Sequence, residues 1–577
     1  MLDWSIWEGE PLRHRNATEI AIELHETVHP ARWCITFADL KHFRSEVHRV
    51  LQEGKTFPEN FSKYGPSVYA VNEHYIKPVT AAAGKMSWAL MMNPDGLDCD
   101  LFITHAWQED VFEFTEKVLT SWPWRANHAW CCMLANPQNL DIGALLQSPS
   151  SSPFALALQS SKYMLVVPNR HKSVYTRLWC GYEAYLAFQS NKIIRTATPP
   201  IGRQVLLAWL RMLPALLIGA TVGLIFRLRH FEAAQRLILI LRMLSLFASL
   251  VSQHCGQMRL CLIANHLGLA SGVAAIIGGE LLLSGFSYLT LVTTNLLAII
   301  KYASYFCIVL YFLLAEVDRV SCQIEAQEAE ALQHHYQGSI RHASCSEVQD
   351  EVNIRNEIGD QIDEVDKVIQ VLLKAGMTSD ALRDAHLQGV ELRHAGFVQL
   401  AIPVLMLGPL LILGCWLEVR ILLYAGGHPL GRVYTWFVCI ELGSILARFA
   451  FLGLLLKRYI DERCFMLNVM AKIVTVFYFC LIELGPLGNE TMFCVLHTVY
   501  CLSFLVAVFF AALGIRGTLK LPCGRLLAQF FLSRLVGPTL HTARALDGSR
   551  CASASHPSGS GSETSGSESC RSSGSNE

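Results

Sequence analysis

The chain of 577 residues contains few charged residues and none of the short motifs by which common enzymes hold nucleotide phosphates. Charged residues make up 16% of the chain and hydrophobic residues 52%, whereas about a quarter of the residues in a soluble domain are charged. No P-loop, G-x-G-x-x-G or kinase motif occurs, so phosphate binding by these motifs is excluded. A net charge of −1 without a basic low-complexity tract predicts that nucleic acid is not a partner.

Disulfide and metal-ligand patterns are missing as well. The 19 cysteines show no paired C-x-x-C spacing, and about half of them lie in apolar stretches, where cysteine packs as a small hydrophobic residue. We therefore expect reduced structural thiols. The sequence His25-Glu26-Thr27-Val28-His29 fits the H-E-x-x-H zinc motif. Pro30 follows at once and interrupts a helix there, so we expect no metal site.

Long apolar stretches dominate the chain after residue 203. A transmembrane helix needs about 20 apolar residues to cross the hydrocarbon core, and eight stretches approach this length. They are residues 205–226, 237–252, 261–284, 288–315, 397–417, 433–456, 466–484 and 493–515. The second is the weakest candidate because it is short and contains Arg242. The pattern predicts an all-α polytopic membrane domain, with about four helices in 204–315 and about four in 397–515.

Positive charges beside these stretches predict the orientation of the chain. The N-terminus has no apolar signal segment, so we expect roughly the first 200 residues to stay in the cytosol. Lys/Arg clusters precede the first stretch, separate the sixth from the seventh and follow the eighth. An even number of spans puts all three clusters on the cytosolic side, although the arginines of 227–236 disagree with this arrangement. We predict a multipass protein in a lipid membrane with both termini in the cytosol.

Residues 162–186 carry the most informative local pattern. The apolar run 163–167 ends at Pro168, and after a short polar stretch the sequence Trp179-Cys180-x-x-Glu183 begins a helix. Strands and helices alternate from residue 98 to 197, which predicts a doubly wound parallel sheet. Such sheets bind ligands at the carboxyl ends of their strands, and the pattern places Glu183 near that edge.

This region resembles the TIR (Toll/interleukin-1 receptor) domain, in which a strand and a Ser/Tyr loop lead into a Trp-Cys-x-x-Glu helix. Residues 100–106 resemble the family's first strand, and residues 153–161 resemble the helix before its hydrophobic strand. The resemblance covers 97–200 and implies a TIR/flavodoxin-like α/β fold. The family's Arg-Asp-x-x-Pro-Gly box is missing, with 136–143 in its place, so the partners of Toll-type adaptors are not carried over.

The resemblance also implies a candidate active site. In NAD-cleaving members of the family, the catalytic glutamate lies four residues after the tryptophan, and Glu183 keeps that spacing after Trp179. Its carboxylate would hold the nicotinamide ribose and stabilise oxocarbenium-like charge as nicotinamide leaves. The residues expected in the same pocket are Thr104, His105, Trp107, Trp179 and Cys180. NAD would be a substrate, and no cofactor is required; alternatively, these residues pack and cap a scaffold without activity.

Three further regions flank the sheet and the apolar stretches. Residues 1–96 form an N-terminal α/β extension, in which Thr36 is expected to cap a helix that Gly54 ends. Residues 316–396 form a soluble, acidic helical insert. The tail, 516–577, is basic and then rich in Ser and Gly, and we expect its Ser/Gly part to be disordered.

The acidic insert contains a heptad-like pattern. The apolar positions at coiled-coil spacing are Ile358, Ile362, Val365, Ile369 and Leu372. Such a seam suits either an intramolecular helical hairpin or a self-association helix, and two heptads do not decide between them. A homo-oligomer through this helix or through the TIR-like domain is therefore one expected assembly.

Two classes of function follow from these patterns. The first is a membrane-anchored TIR-like signalling protein that cleaves NAD through Glu183. The second is a multipass transporter, channel or receptor in which the TIR-like domain is a non-catalytic regulatory or scaffolding module.

Overall fold

In a computed structural model, the described residues are 17–54, 57, 61–140, 148–229, 232–255, 257–278, 288–345, 347–392, 463–473 and 490–532, with short pieces between 395 and 453. They form an N-terminal mixed α/β sheet followed by a largely helical remainder. The chain divides into the units Met1–Leu535 and Val536–Glu577. The second unit and the predicted Ser/Gly-rich tail lie outside the described residues.

Six strands form one sheet in the order β1-β3-β2-β4-β5-β6. They are β1 (Ile35–Thr36), β2 (Leu101–Thr104), β3 (His128–Cys131), β4 (Tyr163–Val166), β5 (Ile193–Thr196) and β6 (Met377–Thr378). The four central strands are parallel, and the two edge strands β1 and β6 are antiparallel to their neighbours. The expected parallel sheet is thus corrected to a mixed sheet, because strands of two residues from outside 97–200 leave no alternation in the sequence.

The helices of the sheet region have between 4 and 16 residues. They are α1 (Ala17–Thr27), α2 (Phe37–Gln52), α3 (Val68–Val71), α4 (Lys77–Ala82), α5 (Trp88–Met92), α6 (Val111–Ser121), α7 (Cys132–Ala135), α8 (Pro153–Ser160) and α9 (Leu178–Gln189). As expected, Thr36 caps α2: its hydroxyl accepts from the Asp39 amide at 3.1 Å, and the Asp39 carboxylate accepts from the Thr36 amide at 2.8 Å. This reciprocal capping box satisfies two backbone donors that the helix cannot.

Strand order reverses at β2, and this reversal places the site. β2 lies between β3 and β4, with Phe102 beside both Trp130 and Met164. Right-handed crossovers then put α6 on one face of the sheet and α8 and α9 on the other, which agrees with the packing of α6 on α2 and of α8 on α9. The two connections diverge at the carboxyl ends of β2 and β4 and leave a crevice there.

Long apolar helices follow the sheet. They are α10 (Gly202–Arg229), α11 (Glu232–His254), α12 (Met258–Gly278) and α13 (Tyr288–Gln333). Within the described residues of the whole chain, three helical segments are long and apolar enough to cross a membrane, namely Gly202–Leu228, Met258–Gly278 and Leu502–Leu519. This is fewer than the eight expected spans. The second has only a shorter apolar section in α11, and the fourth, 288–315, lies in α13 but is not among the three segments. The expected spans between 397 and 484 lie largely outside the described residues.

Small residues bring α10 and α12 into close contact. A Cβ added at Gly219 would lie 2.3 Å from the Ala270 carbonyl oxygen, and one at Gly223 would lie 2.7 Å from that of Ala274. Both glycines are therefore required by the approach of the two backbones. Glycines four residues apart that admit a neighbouring backbone are typical of packed membrane helices.

The acidic insert packs on the sheet region. Its elements after α13 are α14 (Val348–Ile358), α15 (Ile362–Ala375), β6 and α16 (Asp380–Leu387), and the helices α17 (Glu490–Leu519) and α18 (Gly524–Leu532) follow later. Both α14 and α15 pack on α9, and the seam residues Ile358, Val365 and Ile369 are buried in the core of the sheet region. The seam is broken into two helices at Gly359, whose φ is +53°, and its apolar face is covered by the same chain.

Candidate functional site

The crevice at the carboxyl ends of β2 and β4 holds a cavity of about 360 Å³. The expected site residues that line it are His105, Trp107, Trp179, Cys180 and Glu183. The sixth, Thr104, is the last residue of β2, and its hydroxyl donates a hydrogen bond to the Glu183 carboxylate. The structure therefore brings all six residues, separated by up to 79 positions along the chain, into one site.

Helix α9 carries the Glu183 carboxylate and is covered on two sides. Trp179 and Glu183 are four residues apart and share one helix face. The sheet lies against one side of α9, while α14 and α15 pack against it from the insert. An added Cβ at Gly181 would lie 3.0 Å from Ile340 Cγ2, so the glycine admits the insert. A helix buried on both sides is apolar all round, and Glu183 is an ionisable exception.

Glu183 is a buried carboxyl with a hydroxyl donor and a nearby cation. Its residue surface is 5% exposed, and Thr104 Oγ1 donates to Oε2. Burial raises the pKa of Glu183 to about 7, while the Thr104 hydrogen bond and the charge of Arg177 favour the ionised form. A carboxyl whose pKa lies near neutrality exchanges a proton readily and still presents negative charge to a developing cation.

His105 forms the wall beside this carboxyl. Its Nδ1 lies 2.6 Å from Glu109 Oε1, and its Nε2 lies 3.2 Å from Cys132 Sγ. Burial lowers the pKa of His105 to about 3 and raises the pKa of Glu109 well above its usual range. The pair is therefore neutral, and we assign the Glu109 proton to the bond with Nδ1 and the ring proton to Nε2. Both ring nitrogens then have hydrogen-bond partners, so His105 forms a fixed part of the cavity wall and is not available as a general base.

The cysteines of the site remain thiols. Burial raises the pKa of Cys132 to about 12 and also raises that of Cys180. Cys180 Sγ faces the His105 carbonyl oxygen at 3.7 Å, and Trp107 Nε1 donates to Cys132 Sγ at 3.2 Å. A thiol is a poor nucleophile compared with its thiolate, so these two cysteines are poor candidates for a nucleophile.

Two groups of site residues were missed by the sequence analysis. Arg177 and Lys172 supply positive charge at the cavity, and Asp350 of α14 lines it from the insert. Trp179 Nε1 donates to Asp350 Oδ2 at 3.0 Å, and the indole stacks on Phe154 with ring centres 5.1 Å apart. Arg177 was detectable as a cation two residues before the tryptophan. Asp350 lies 171 residues from Trp179, and no local pattern marks it.

The C-terminal end of α13 is joined to the same site. Lys117 of α6 is 1% exposed at its side chain, and its Nζ lies 2.6 Å from Glu328 Oε2 of α13 and 2.8 Å from Glu113 Oε1. The same ammonium donates to the Pro168 carbonyl oxygen at 2.9 Å. Just past α13, the His334 carbonyl accepts from the Ser173 amide at 2.9 Å. The loop 168–177, which bears Lys172 and Arg177, is thus held by the helix that leaves the apolar region.

The histidines of the H-E-x-x-H sequence do not share a helix. His25 lies in α1, where its Nδ1 bonds the Ala21 carbonyl oxygen at 2.7 Å. His29 lies beyond the end of α1, and its Nδ1 accepts from the Ala31 amide at 3.3 Å. Within the described part of the chain, no three His, Cys, Asp or Glu residues cluster so that they could hold a metal ion.

Comparison with known proteins finds no matching family model, no matching curated protein and no matching solved structure. The resemblance to TIR domains therefore depends on the motif residues and on the fold around them.

Proposed function

We propose that the protein is a membrane-anchored TIR-like signalling enzyme whose cytosolic α/β domain cleaves NAD between nicotinamide and ribose. The observation that carries the proposal is the buried Glu183 carboxyl at the crevice between β2 and β4. It lies where doubly wound sheets bind nucleotides. The Thr104 hydroxyl orients one of its oxygens.

The proposed reaction is a hydrolysis with balanced atoms and electrons. The bond between ribose C1′ and the pyridinium nitrogen breaks, and its electron pair neutralises that nitrogen as nicotinamide leaves. The Glu183 carboxylate stabilises the oxocarbenium-like charge on the ribose. Water then attacks C1′ and gives its proton to Glu183, whose pKa of about 7 suits this transfer. The products are nicotinamide, ADP-ribose and one proton.

Other groups of the cavity suit parts of the same substrate. The stacked rings of Trp179 and Phe154 offer an apolar wall for the nicotinamide ring. Arg177 and Lys172 carry the charge that phosphate groups require. A cavity of about 360 Å³ lies within the range of small-molecule sites. Asp350 closes the cavity from the insert, so we expect the whole chain to be needed for activity.

Four features support a membrane anchor and its orientation. The segments Gly202–Leu228 and Met258–Gly278 are long and apolar enough to cross a bilayer, and they pack through small residues. Leucines on α10, such as Leu217, face outward. Arg516 at the end of α17 donates to Asp384 of α16 at 2.8 Å, which supports placing the end of the last apolar helix on the same side as the insert and the sheet.

Nicotinamide release by the purified full chain tests the proposed activity. The full chain in detergent or nanodiscs is incubated with NAD, and nicotinamide and ADP-ribose are quantified together. We expect equal amounts of both products. Glu183→Gln should lower turnover by on the order of a hundredfold or more, since it removes charge from the transition state and keeps the size of the side chain.

The matched control is Glu73→Gln, which removes an exposed carboxylate that pairs with Lys77 one helical turn away. It should leave turnover unchanged. Equal turnover in the parent and in folded Glu183→Gln would exclude Glu183 as the catalytic carboxylate. No turnover in a folded parent would favour a scaffold, including one that works through self-association of the α/β domain.

A second candidate function has one specific observation in its favour. Helix α13 runs from the apolar region to the loop 168–177, with Lys117 and Glu328 as the junction. A receptor, channel or transporter whose α/β domain is regulatory would use such a helix to pass movement between the two regions. Flux across liposomes containing the full chain, changed by Lys117→Met but not by Glu183→Gln, would favour this alternative.

A further inference from the structure

A second cavity, of about 270 Å³, lies away from the candidate active site. We name it the Trp124 pocket after the exposed tryptophan that lines it. The lining residues used below are Trp122, Trp124, Arg125, Arg195, Thr198 and Arg463. Its three arginines come from three separate segments of the chain, and no residue that lines it is acidic. The pocket is therefore polarised for an anion.

The Trp124 pocket is tied to the start of the first apolar helix. Ser121 Oγ accepts from the Thr198 amide at 2.8 Å and donates to the Thr198 carbonyl oxygen at 3.3 Å. Helix α10 begins only four residues later, at Gly202. Four extended residues span at most about 14 Å, so the pocket lies close to the level at which the chain enters the first candidate span.

The loop that forms the pocket mouth is held in shape by its own contacts. Trp122 Nε1 donates to the Ala126 carbonyl oxygen at 2.7 Å, and the Ala126 amide donates to the Pro123 carbonyl oxygen at 2.9 Å. Trp124 is 72% exposed, and the Arg125 guanidinium lies over its ring at 4.6 Å. An exposed tryptophan covered by an arginine offers an apolar body and a cationic head at one place.

This combination matches the chemistry of a lipid headgroup region. Tryptophan concentrates where hydrocarbon meets headgroups, and arginine binds phosphate oxygens in a bidentate manner. Basic residues beside a transmembrane helix are attracted to anionic lipids. A site that bound soluble nucleotides would have no need of an outward-facing tryptophan beside the first apolar helix.

We propose that the Trp124 pocket binds the phosphate-bearing headgroup of an anionic membrane lipid. Arg125 and Arg195 contact the phosphate, and Trp124 lies among the upper acyl carbons of the same leaflet. The proposal depends on the membrane anchor proposed above, but it does not depend on the cleavage of NAD.

Lipid retention by the full chain tests this proposal. The parent is reconstituted into nanodiscs that contain phosphatidylcholine and phosphatidylserine, extracted in mild detergent and analysed for bound lipid by mass spectrometry. We expect retained phosphatidylserine in excess over its share of the nanodisc. The double variant Arg125→Gln/Arg195→Gln should lower that retention by roughly thirtyfold, given the attraction of about 1 kcal/mol for each basic residue near an anionic surface.

The matched control is Arg341→Gln/Arg355→Gln, which removes two arginines of the insert that pair with Asp363 and Glu351. It should retain phosphatidylserine as the parent does. Retention in proportion to the nanodisc composition, or equal retention by the pocket variant, would overturn the proposal. Displacement of the lipid by inorganic phosphate alone would identify a free anion as the ligand and would also overturn it.

Failure of the membrane anchor has a different signature. The parent would then not co-migrate with nanodiscs made of phosphatidylcholine alone. If it does co-migrate with these neutral nanodiscs, then loss of phosphatidylserine selectivity concerns the pocket. A measurement of nicotinamide release on the same preparations separates both results from the activity of Glu183.

Discussion

The α/β sheet region and the apolar helix α10 differ in where their apolar side chains lie: inside the sheet region, but on the outer surface of α10. In the sheet region, apolar side chains fill the interior and the buried charges have partners, as Lys117 does. Along α10, outward-facing apolar residues follow one another, including Leu210, Leu213 and Leu217. Exposed apolar patches of this kind mark sites of contact with another protein or with a membrane. The difference fits the proposed membrane anchor, in which water surrounds the sheet region and lipid surrounds α10.

The largest effect should come from the charge buried in the sheet region. Lys117→Met leaves Glu328 of α13 buried without its cation, and the loss of one partner from such a pair costs about 3–5 kcal/mol. We expect a lower melting temperature of the full chain in nanodiscs and a loss of NAD cleavage, because the loop 168–177 is released.

The control for this change is Lys162→Met. Lys162 pairs with Asp100 at 3.1 Å, but its side chain is 70% exposed, and exposed pairs contribute less than about 1 kcal/mol. Equal melting temperatures for the two variants would mean that water reaches Lys117 and that the contrast between buried and exposed charge does not hold.

A matched pair of leucines tests the difference in solvent. Leu217 of α10 and Leu387 of α16 are both 69% exposed. Leu217→Arg should reduce carbonate-resistant membrane integration, since an arginine near the middle of a membrane helix costs about 2.5–3.5 kcal/mol. Leu387→Arg should change stability by less than about 0.5 kcal/mol. Two equally harmless substitutions would show that water covers α10.

The pH dependence sharpens the description of the buried carboxyl. The pKa of Glu183 is about 7 in the fold, against a usual value of 4.5. The proposed mechanism uses the ionised carboxylate, so turnover should fall by about tenfold between pH 8 and pH 6. A profile that is flat over this range in the parent would contradict the role of Glu183.

Stability should move in the opposite direction to activity. A carboxyl with a raised pKa in the fold stabilises it when protonated, so its contribution is complete below the usual pKa and is lost as the pH rises through about 7. The melting temperature of the parent should therefore decline from pH 5 to pH 8. Glu183→Gln, which does not titrate, should lack this part of the decline.

The smallest effect concerns the break in the insert. Gly359 has a φ of +53° between α14 and α15, and a side chain in such a conformation costs on the order of 1 kcal/mol. Gly359→Ala should lower the melting temperature slightly. Gly202→Ala, where an added Cβ meets no atom within 4 Å, should not lower it. If both variants behave alike, α14 and α15 join into one helix without penalty.

Local patterns in the sequence were sufficient where one segment decides its own structure. The capping box at Thr36, the strand that ends before Pro168 and the Trp179-Cys180-x-x-Glu183 helix depend on spacings of a few residues. The central parallel strands follow from the alternation of strands and helices. Gathering the predicted site residues at one sheet edge needs only the rule that parallel strands end on the same side.

Local patterns could not predict the edge strands of the sheet or the packing of the insert against the site. The strands β1 and β6 have two residues each, too few to show an alternation. The seam of the insert was periodic, but periodicity does not say what covers an apolar face. In the structure, α9 packs against the apolar face of the insert, and this contact brings Asp350 to the cavity.

By itself, the sequence determined the order of the central strands and their helices, three apolar helical segments and the position of Glu183 on α9, because hydrogen bonding and burial within a segment depend on neighbouring residues. Only the tertiary structure decided that Asp350 completes the cavity and that Glu328 holds Lys117 from 211 residues away. It also decided the raised pKa of Glu183, since desolvation depends on everything packed around a carboxyl. Contacts between distant segments follow from packing complementarity, which no local spacing records.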